Sequence, residues 1–192
     1  MTLPLFDLEP VEAHDAGGKV KTKLPAGVRG DAAFSGPNDC YRHQLRRWIG
    51  DAFPAGYTFF LGMNPSTAMG HINDSTIKRE FSFARREGYN GYWKCNVMDY
   101  RATRPEDLLR PGIEPRSEIN LQAIRDGAAE AGLVVICHGK LHKRLAAFGC
   151  EAVEALRRDG RKLWCFGQTS DGSPKHPLYL AAETPLIPFS AA

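Results

Sequence analysis

Apolar residues along this chain come in short runs that each end in a polar turn. The clearest run, Tyr57-Thr58-Phe59-Phe60-Leu61, breaks at Gly62-Met63-Asn64-Pro65-Ser66-Thr67. Continuous apolar character with aromatic enrichment predicts a strand over residues 57–63 covered on both faces, as in a parallel sheet. Ile77, Phe81 and Ala84 follow at helical spacing, so a helix is expected from Asp74 or Ser75, either of which can cap it, through Arg86, with Gly88 ending it. The pattern then repeats. A strand over 91–97 delivers Asn96, Asp99, Arg101 and Thr103, and a helix over 117–131, capped by Ser117, leads to a strand over 133–137 that ends in His138-Gly139-Lys140. A helix over 141–158 precedes a strand over 162–166 and a loop over 167–176 rich in Gly, Ser, Thr and Asp. Residues 41–49 fit an edge strand or a short Arg-rich helix; an edge strand is the expectation. Strands alternating with helices imply a three-layer α/β/α domain with a mainly parallel central sheet and a ligand crevice at the carboxyl ends of the strands.

Length permits one well-buried core and little more, so residues 38–192 are read as a single domain. Residues 1–37 mix Asp, Gly, Pro and Lys without periodicity and are expected to form a flexible arm. No apolar run approaches the length of a membrane span, and the opening Met1-Thr2-Leu3-Pro4-Leu5-Phe6 lacks the basic flank and long apolar core of a secretory signal, so a cytoplasmic location and no membrane partner are expected. The formal charge of +3 permits nucleic-acid binding without requiring it. Five cysteines with no C-x-x-C spacing disfavour a metal or cluster site. Cys95, Cys137 and Cys165 fall inside expected strands, where a free thiol behaves as a small buried hydrophobe. Trp48, Trp93 and Trp164 are expected to fill the core or cover a sheet edge, and His43 and His142 to be surface or packing groups.

The polar groups at the strand ends are Asn64, Ser66, Thr67, Asn96, Asp99, His138, Lys140, Gln168 and His176. Gly139-Lys140 is too short for a phosphate-binding Walker loop, and neither a G-x-S-x-G elbow nor an H-E-x-x-H helix occurs. Amides and imidazoles dominate. Such groups suit recognition of a nucleobase, because Asn pairs with a base edge through one donor and one acceptor, and His can stabilise negative charge developing on a base oxygen. They also suit hydrolysis of an N-glycosidic bond, which needs a positioned water, a donor to the departing base and a closed pocket, with no metal or other cofactor.

Four separated segments carry a resemblance. Leu61-Gly62-Met63-Asn64-Pro65-Ser66-Thr67-Ala68, Asp74-Ser75-Thr76-Ile77-Lys78-Arg79, Asn96-Val97-Met98-Asp99-Tyr100-Arg101-Ala102-Thr103 and Gly172-Ser173-Pro174-Lys175-His176-Pro177-Leu178-Tyr179-Leu180 together look like the bacterial and phage family DUF1643, over roughly residues 40 to 183. More distantly, the motif order is similar to the uracil-DNA glycosylase superfamily, especially its mismatch-specific branch. The matching positions are Gly62-Met63-Asn64-Pro65, Asn96, Gly139-Lys140 and His176-Pro177. That resemblance implies a glycosylase-like fold and a DNA glycosylase acting on a damaged or modified base of DNA flipped into the pocket; a noncatalytic nucleic-acid or nucleotide-binding module and a hydrolase of free nucleosides or nucleotides are the alternatives. It implies that Asn64 positions the attacking water, Asn96 reads the base edge and His176 donates to the base oxygen. Phe81 or Phe83 would stack on the base, and Leu178 or Tyr179 would wedge the vacated stack. Gly62, Pro65, Ser66, Thr67, Gly139 and Lys140 complete the expected binding set, with Arg79 structural or phosphate-binding. Leu178-Tyr179-Leu180 replaces the superfamily's usual Ser-Pro run after His176-Pro177. Leu3-Pro4-Leu5-Phe6 resembles the short peptides that hold the bacterial sliding clamp, with Thr2 in place of their leading Gln, and Lys19, Lys21 and Lys23 would add weak phosphate attraction.

Overall fold

A computed structural model describes residues 21–190. Leu3–Phe6 and Lys19 therefore lie outside the described residues. In chain order the strands and helices are β1 (Thr22–Lys23), β2 (Val28–Ser35), β3 (Tyr41–Ile49), β4 (Thr58–Gly62), β5 (Ile72–Asn73), α1 (Ser75–Arg86), β6 (Gly91–Asn96), α2 (Asn120–Ala129), β7 (Leu133–Ile136), α3 (Ala146–Arg158), β8 (Leu163–Cys165) and β9 (Ile187–Pro188). Seven strands make one mixed sheet in the order β2-β3-β6-β4-β7-β8-β9, and β1 pairs with β5 apart from it.

The expected parallel core exists, but it is narrower than the sequence pattern implies. Strand β4 is buried along its whole length and pairs parallel with β6 on one side and β7 on the other, and β7 pairs parallel with β8. The β2–β3, β3–β6 and β8–β9 pairings are antiparallel, so the sheet as a whole is mixed rather than mainly parallel. A short connection closes the first of these. Gly36 and the 3-10 turn Pro37–Asp39 link β2 to β3 in too few residues for the crossover that a parallel pair needs. Residues 28–35, expected in the arm, form an eight-residue outer strand, and β3 is consequently an inner strand between β2 and β6 instead of an edge. The polar character of 28–35 hid it, since an outer strand needs little apolar surface.

Alternation along the parallel strands splits the core between the two faces. Phe59, Leu61, Val134 and Ile136 pack with Ile124 and Ala128 of α2 and with Ala152, Val153 and Leu156 of α3. Phe60 and Val135 point the other way and pack with Ile77, Phe83 and Ala84 of α1. Gly127 lets α2 approach closely, because a Cβ there would stand 2.8 Å from the Phe59 ring and 2.9 Å from the Trp93 indole nitrogen. The Asp74 carboxylate caps α1 by accepting from the Ile77 N–H at 2.8 Å, as expected. Ser117 is no helix cap: its N–H and hydroxyl donate to Asp99, and α2 starts three residues later. The turn at 141–145 likewise delays α3 to Ala146. Cys95, Cys137 and Cys165 are fully buried, and burial pushes Cys95 up to about 12 and the other two upward, so none is a thiolate near neutral pH. Among the described residues no helix is long and apolar enough to cross a membrane.

Candidate functional site

The turn after β4 and the turn after β6 are zipped together by backbone. Met98 N–H donates to Met63 O at 3.0 Å, and Ala102 N–H donates to Pro65 O at 2.8 Å. Asn64 joins the zipper through its amide nitrogen, which donates to Ala102 O at 2.6 Å and Pro65 O at 3.1 Å. Both protons of the Asn64 amide are thereby used, and its carbonyl oxygen is left as the group to offer a ligand or a water. Ser66 and Thr103 hydroxyls meet at 2.8 Å across the same seam.

These turns form one wall of a cavity of about 360 Å³ at the carboxyl ends of β4 and β6. Asp74, Thr76 and Ile77 at the start of α1 form the second wall, His176, Leu178 and Tyr179 from the turn after β8 the third, and Arg42, Lys94 and Asn96 reach in from the sheet. Of the residues singled out from sequence, Asn64, Ser66, Asn96, His176, Leu178 and Tyr179 therefore come together.

Asn96 is the most informative of them. It is 1% exposed, and neither its amide oxygen nor its amide nitrogen has a hydrogen-bond partner. A buried amide without partners costs roughly 1–3 kcal/mol, so its retention beside an open cavity points to a ligand that supplies one acceptor and one donor. The buried Nε of Arg42 is a second unpartnered donor, while its Nη1 donates to Ala68 O at 2.8 Å. Gly62 makes the arrangement possible. A Cβ at that position would lie 2.6 Å from the Lys94 ammonium and 2.7 Å from the Asn96 amide oxygen.

Beneath the cavity Lys94 donates to both oxygens of Glu80, at 2.6 and 2.8 Å, and the Tyr92 hydroxyl donates to the same fully buried carboxylate. Burial and the Glu80 charge together push the Tyr92 hydroxyl well up, keeping it a neutral donor. His176 opens the 3-10 turn Pro177–Tyr179, and its Nδ1 accepts from the Leu178 N–H at 3.3 Å. That bond assigns the ring proton to Nε2. Burial lowers the His176 pKa below its ordinary value of 6.5, so at neutral pH the ring is an uncharged Nε2–H donor. Tyr179 is 90% exposed at the mouth, which frees its ring from any part in the core.

The other expected site residues stand elsewhere. Phe83 is buried against Phe166, with ring centroids 4.3 Å apart, and Phe81 packs edge-on against Tyr92, so neither lines the cavity. Arg79 donates to Leu180 O and lies over the Phe83 ring, beside the Leu178 turn. Lys140 is exposed and pairs with Asp171 at 2.8 Å. Gly139 abuts the site from behind: with φ of 71° it packs between His176 and Met63, within 4 Å of each where a Cβ would stand. Thr67 is buried under the zipped turns, and Pro65 serves through its carbonyl. Sequence reasoning missed Arg42 and Lys94. Their signal was present, since a charged residue inside a strand otherwise bound for the core requires a buried partner or a ligand. Among the described residues no group of three or more His, Cys, Asp or Glu side chains is arranged to hold a metal ion.

The segment from Arg42 to Leu178 contains all of the cavity lining named above except Tyr179, and it is this segment, residues 42–178, that matches the family described as protein of unknown function (DUF1643). The chain belongs to the DUF1643 family. No curated protein and no solved structure matches it. The family description assigns no activity, so function in this DUF1643 protein rests on the cavity itself.

Proposed function

We propose that this DUF1643 protein seats a nucleobase of DNA in the cavity and hydrolyses its N-glycosidic bond. The observation that carries the reading is the unpartnered, buried amide of Asn96 facing the same space as the free Asn64 carbonyl and the uncharged His176 ring. The exposed Tyr179 ring at the mouth offers a face to a neighbouring base, or a wedge, once the target base has left its stack. Helices on both faces of the sheet and the four parallel strands at its centre support the glycosylase-like three-layer comparison.

In this mechanism the Asn96 amide pairs with the base edge and fixes its orientation. The Asn64 oxygen accepts a hydrogen bond from a water and aims it at the anomeric carbon. As that water's oxygen bonds to the sugar, the electrons of the glycosidic bond depart with the base, and the His176 Nε2–H donates to the base oxygen on which they accumulate. The proton lost by the water ends on the released base. Asn64→Ala removes the water's acceptor and abolishes turnover, whereas His176→Ala lowers the chemical step by about 10²-fold, the usual worth of one such donor.

His176 also sets a pH dependence. Its folded pKa is depressed, so the unfolded chain binds more protons than the native one as the pH falls below 6.5. Stability is present above that value and is lost on acidification, and the rate falls with it, because protonating Nδ1 breaks the bond from Leu178 N–H that orients the ring. An acid limb of the rate profile that is unchanged in His176→Ala would remove His176 from the mechanism.

The experiment is incubation of the protein with labelled single- and double-stranded DNAs carrying uracil, deaminated, mismatched and phage-type modified bases, followed by alkali. Strand scission lost in Asn64→Ala establishes the reaction and names the base; salt-sensitive retention of DNA without scission makes the protein a binding module. A second reading, hydrolysis of free nucleosides, is favoured by the charges in the cavity. Lys94 is neutralised by Glu80 and Arg42 faces Asp74, which leaves little surplus positive charge for phosphate. Turnover that ignores salt and polymer length supports that reading.

A further inference from the structure

Outside the cavity, Ser35, His43 and Asp99 stand in a hydrogen-bonded line. Ser35 Oγ is 2.7 Å from His43 Nε2, and His43 Nδ1 is 2.8 Å from Asp99 Oδ2. Asp99 is fully buried, His43 is 6% exposed, and Ser35 is half-buried at the end of β2, beside the exposed turn at 36–39. The acid is itself held: Ser117 donates to Asp99 Oδ1 through its backbone N–H at 2.8 Å and to Oδ2 through its hydroxyl at 2.5 Å.

Backbone irregularity aims the imidazole. In the β2–β3 ladder Ala33 pairs with Gln44 and Phe34 with Arg42, so His43 is the extra residue of a bulge and has no ladder partner. A bulge turns a side chain out of strict alternation, and here it brings His43 between Ser35 on one strand and Asp99 on the turn after β6. The carboxylate accepts from Nδ1–H, which leaves Nε2 as an acceptor facing the serine hydroxyl. Nucleophile, base and orienting acid thus satisfy the geometric criterion for an activated serine.

We infer that Ser35 is the nucleophile of a second, esterolytic site, acting on carboxylic esters presented at the turn at 36–39. Ser35 Oγ bonds to the ester carbonyl carbon while its proton passes to His43 Nε2. The tetrahedral intermediate collapses by breaking the bond to the leaving alcohol, which takes that proton. Water then attacks the acyl-serine, gives a proton to Nε2, and the acid departs as the proton returns to Ser35 Oγ. Water is the only co-reactant. Asp99 remains a carboxylate throughout and acts as a positioning residue that fixes the tautomer. The site is independent of base hydrolysis, since Ser35, His43 and Asp99 line no part of the cavity.

A fluorophosphonate probe tests it on the full chain. The expected result is one phosphonyl adduct on Ser35 by intact mass and peptide mapping, absent in Ser35→Ala. His43→Gln keeps a polar group against Ser35 and removes the base, and should slow labelling by about 10²-fold or more. Thermal unfolding of both variants checks that the native fold survives. A burst of p-nitrophenol from p-nitrophenyl acetate, lost in Ser35→Ala, is the matching activity. No adduct on the unaltered folded chain, or an adduct forming equally fast in folded His43→Gln, would overturn the inference and leave the three residues as a polar brace between β2, β3 and the turn after β6.

Discussion

At the amino ends of β4 and β6 the side chains are aromatic and pack on one another; at the carboxyl ends of the same two strands they are polar and face a cavity. Tyr57 and Trp93 stand 5.3 Å apart, Phe53 lies 4.9 Å from Tyr57 and 5.7 Å from Trp48, and the Arg46 guanidinium sits 5.0 Å over both Phe53 and Trp93. At the other end Asn96, the last residue of β6, and Arg42 on the neighbouring β3 carry buried polar atoms with no partner, and Gly62, the last residue of β4, gives up its side chain so that Lys94 and Asn96 can approach. Ring packing closes the first end, although the indole N–H groups of Trp48 and Trp93 are buried there without a partner. At the second end the unpartnered groups border an open cavity that a ligand can enter, and stability is forfeited in keeping them there.

Substitutions at the two ends should therefore separate stability from ligand handling. Lys94→Met leaves the Glu80 carboxylate buried without its counter-charge and should cost about 3–5 kcal/mol in urea unfolding; a loss under about 1 kcal/mol would show that the pair adds little to the floor of the cavity. Phe59→Ala, on the fully buried aliphatic and aromatic side, should cost a similar amount, about 3–5 kcal/mol, while the folded fraction handles ligand unchanged. Gly62→Ala should be milder for the fold, about 1–3 kcal/mol, because the Lys94 chain can shift, but it displaces Asn96 and should remove binding. Retained binding in Gly62→Ala would break the contrast between the two ends.

Much of this was legible in the sequence, unevenly. Runs such as Thr58–Gly62 and Leu133–Ile136 declared themselves as buried parallel strands because both faces are covered and every position must be apolar. Asn64 and Asn96 were legible because each stands at the end of such a run, where chain direction brings separate turns to one crevice, and His176 because it closes the polar loop after β8 within a motif of the resemblance. The outer strand Val28–Ser35 was not, since almost every position on it is half-buried and no apolar alternation is left to read. Nor were the places of Phe81 and Phe83: helical spacing puts both on α1, and only the approach of Tyr92 and Phe166 turns them into the core. Arg42 and Lys94 were charges inside expected strands that the sequence reading passed over, and the sheet order buries both.

The smallest change is the most direct test. Asn96→Leu replaces an unpartnered buried amide by an apolar group of similar length. If the amide is kept for a ligand, urea unfolding should find the variant at least as stable as the unaltered chain, with a gain of about 1 kcal/mol, while scission or retention of the base-containing DNA panel disappears. A variant destabilised by more than about 1 kcal/mol that still handles the panel normally would contradict the account, because Asn96 would then serve the fold and not the cavity.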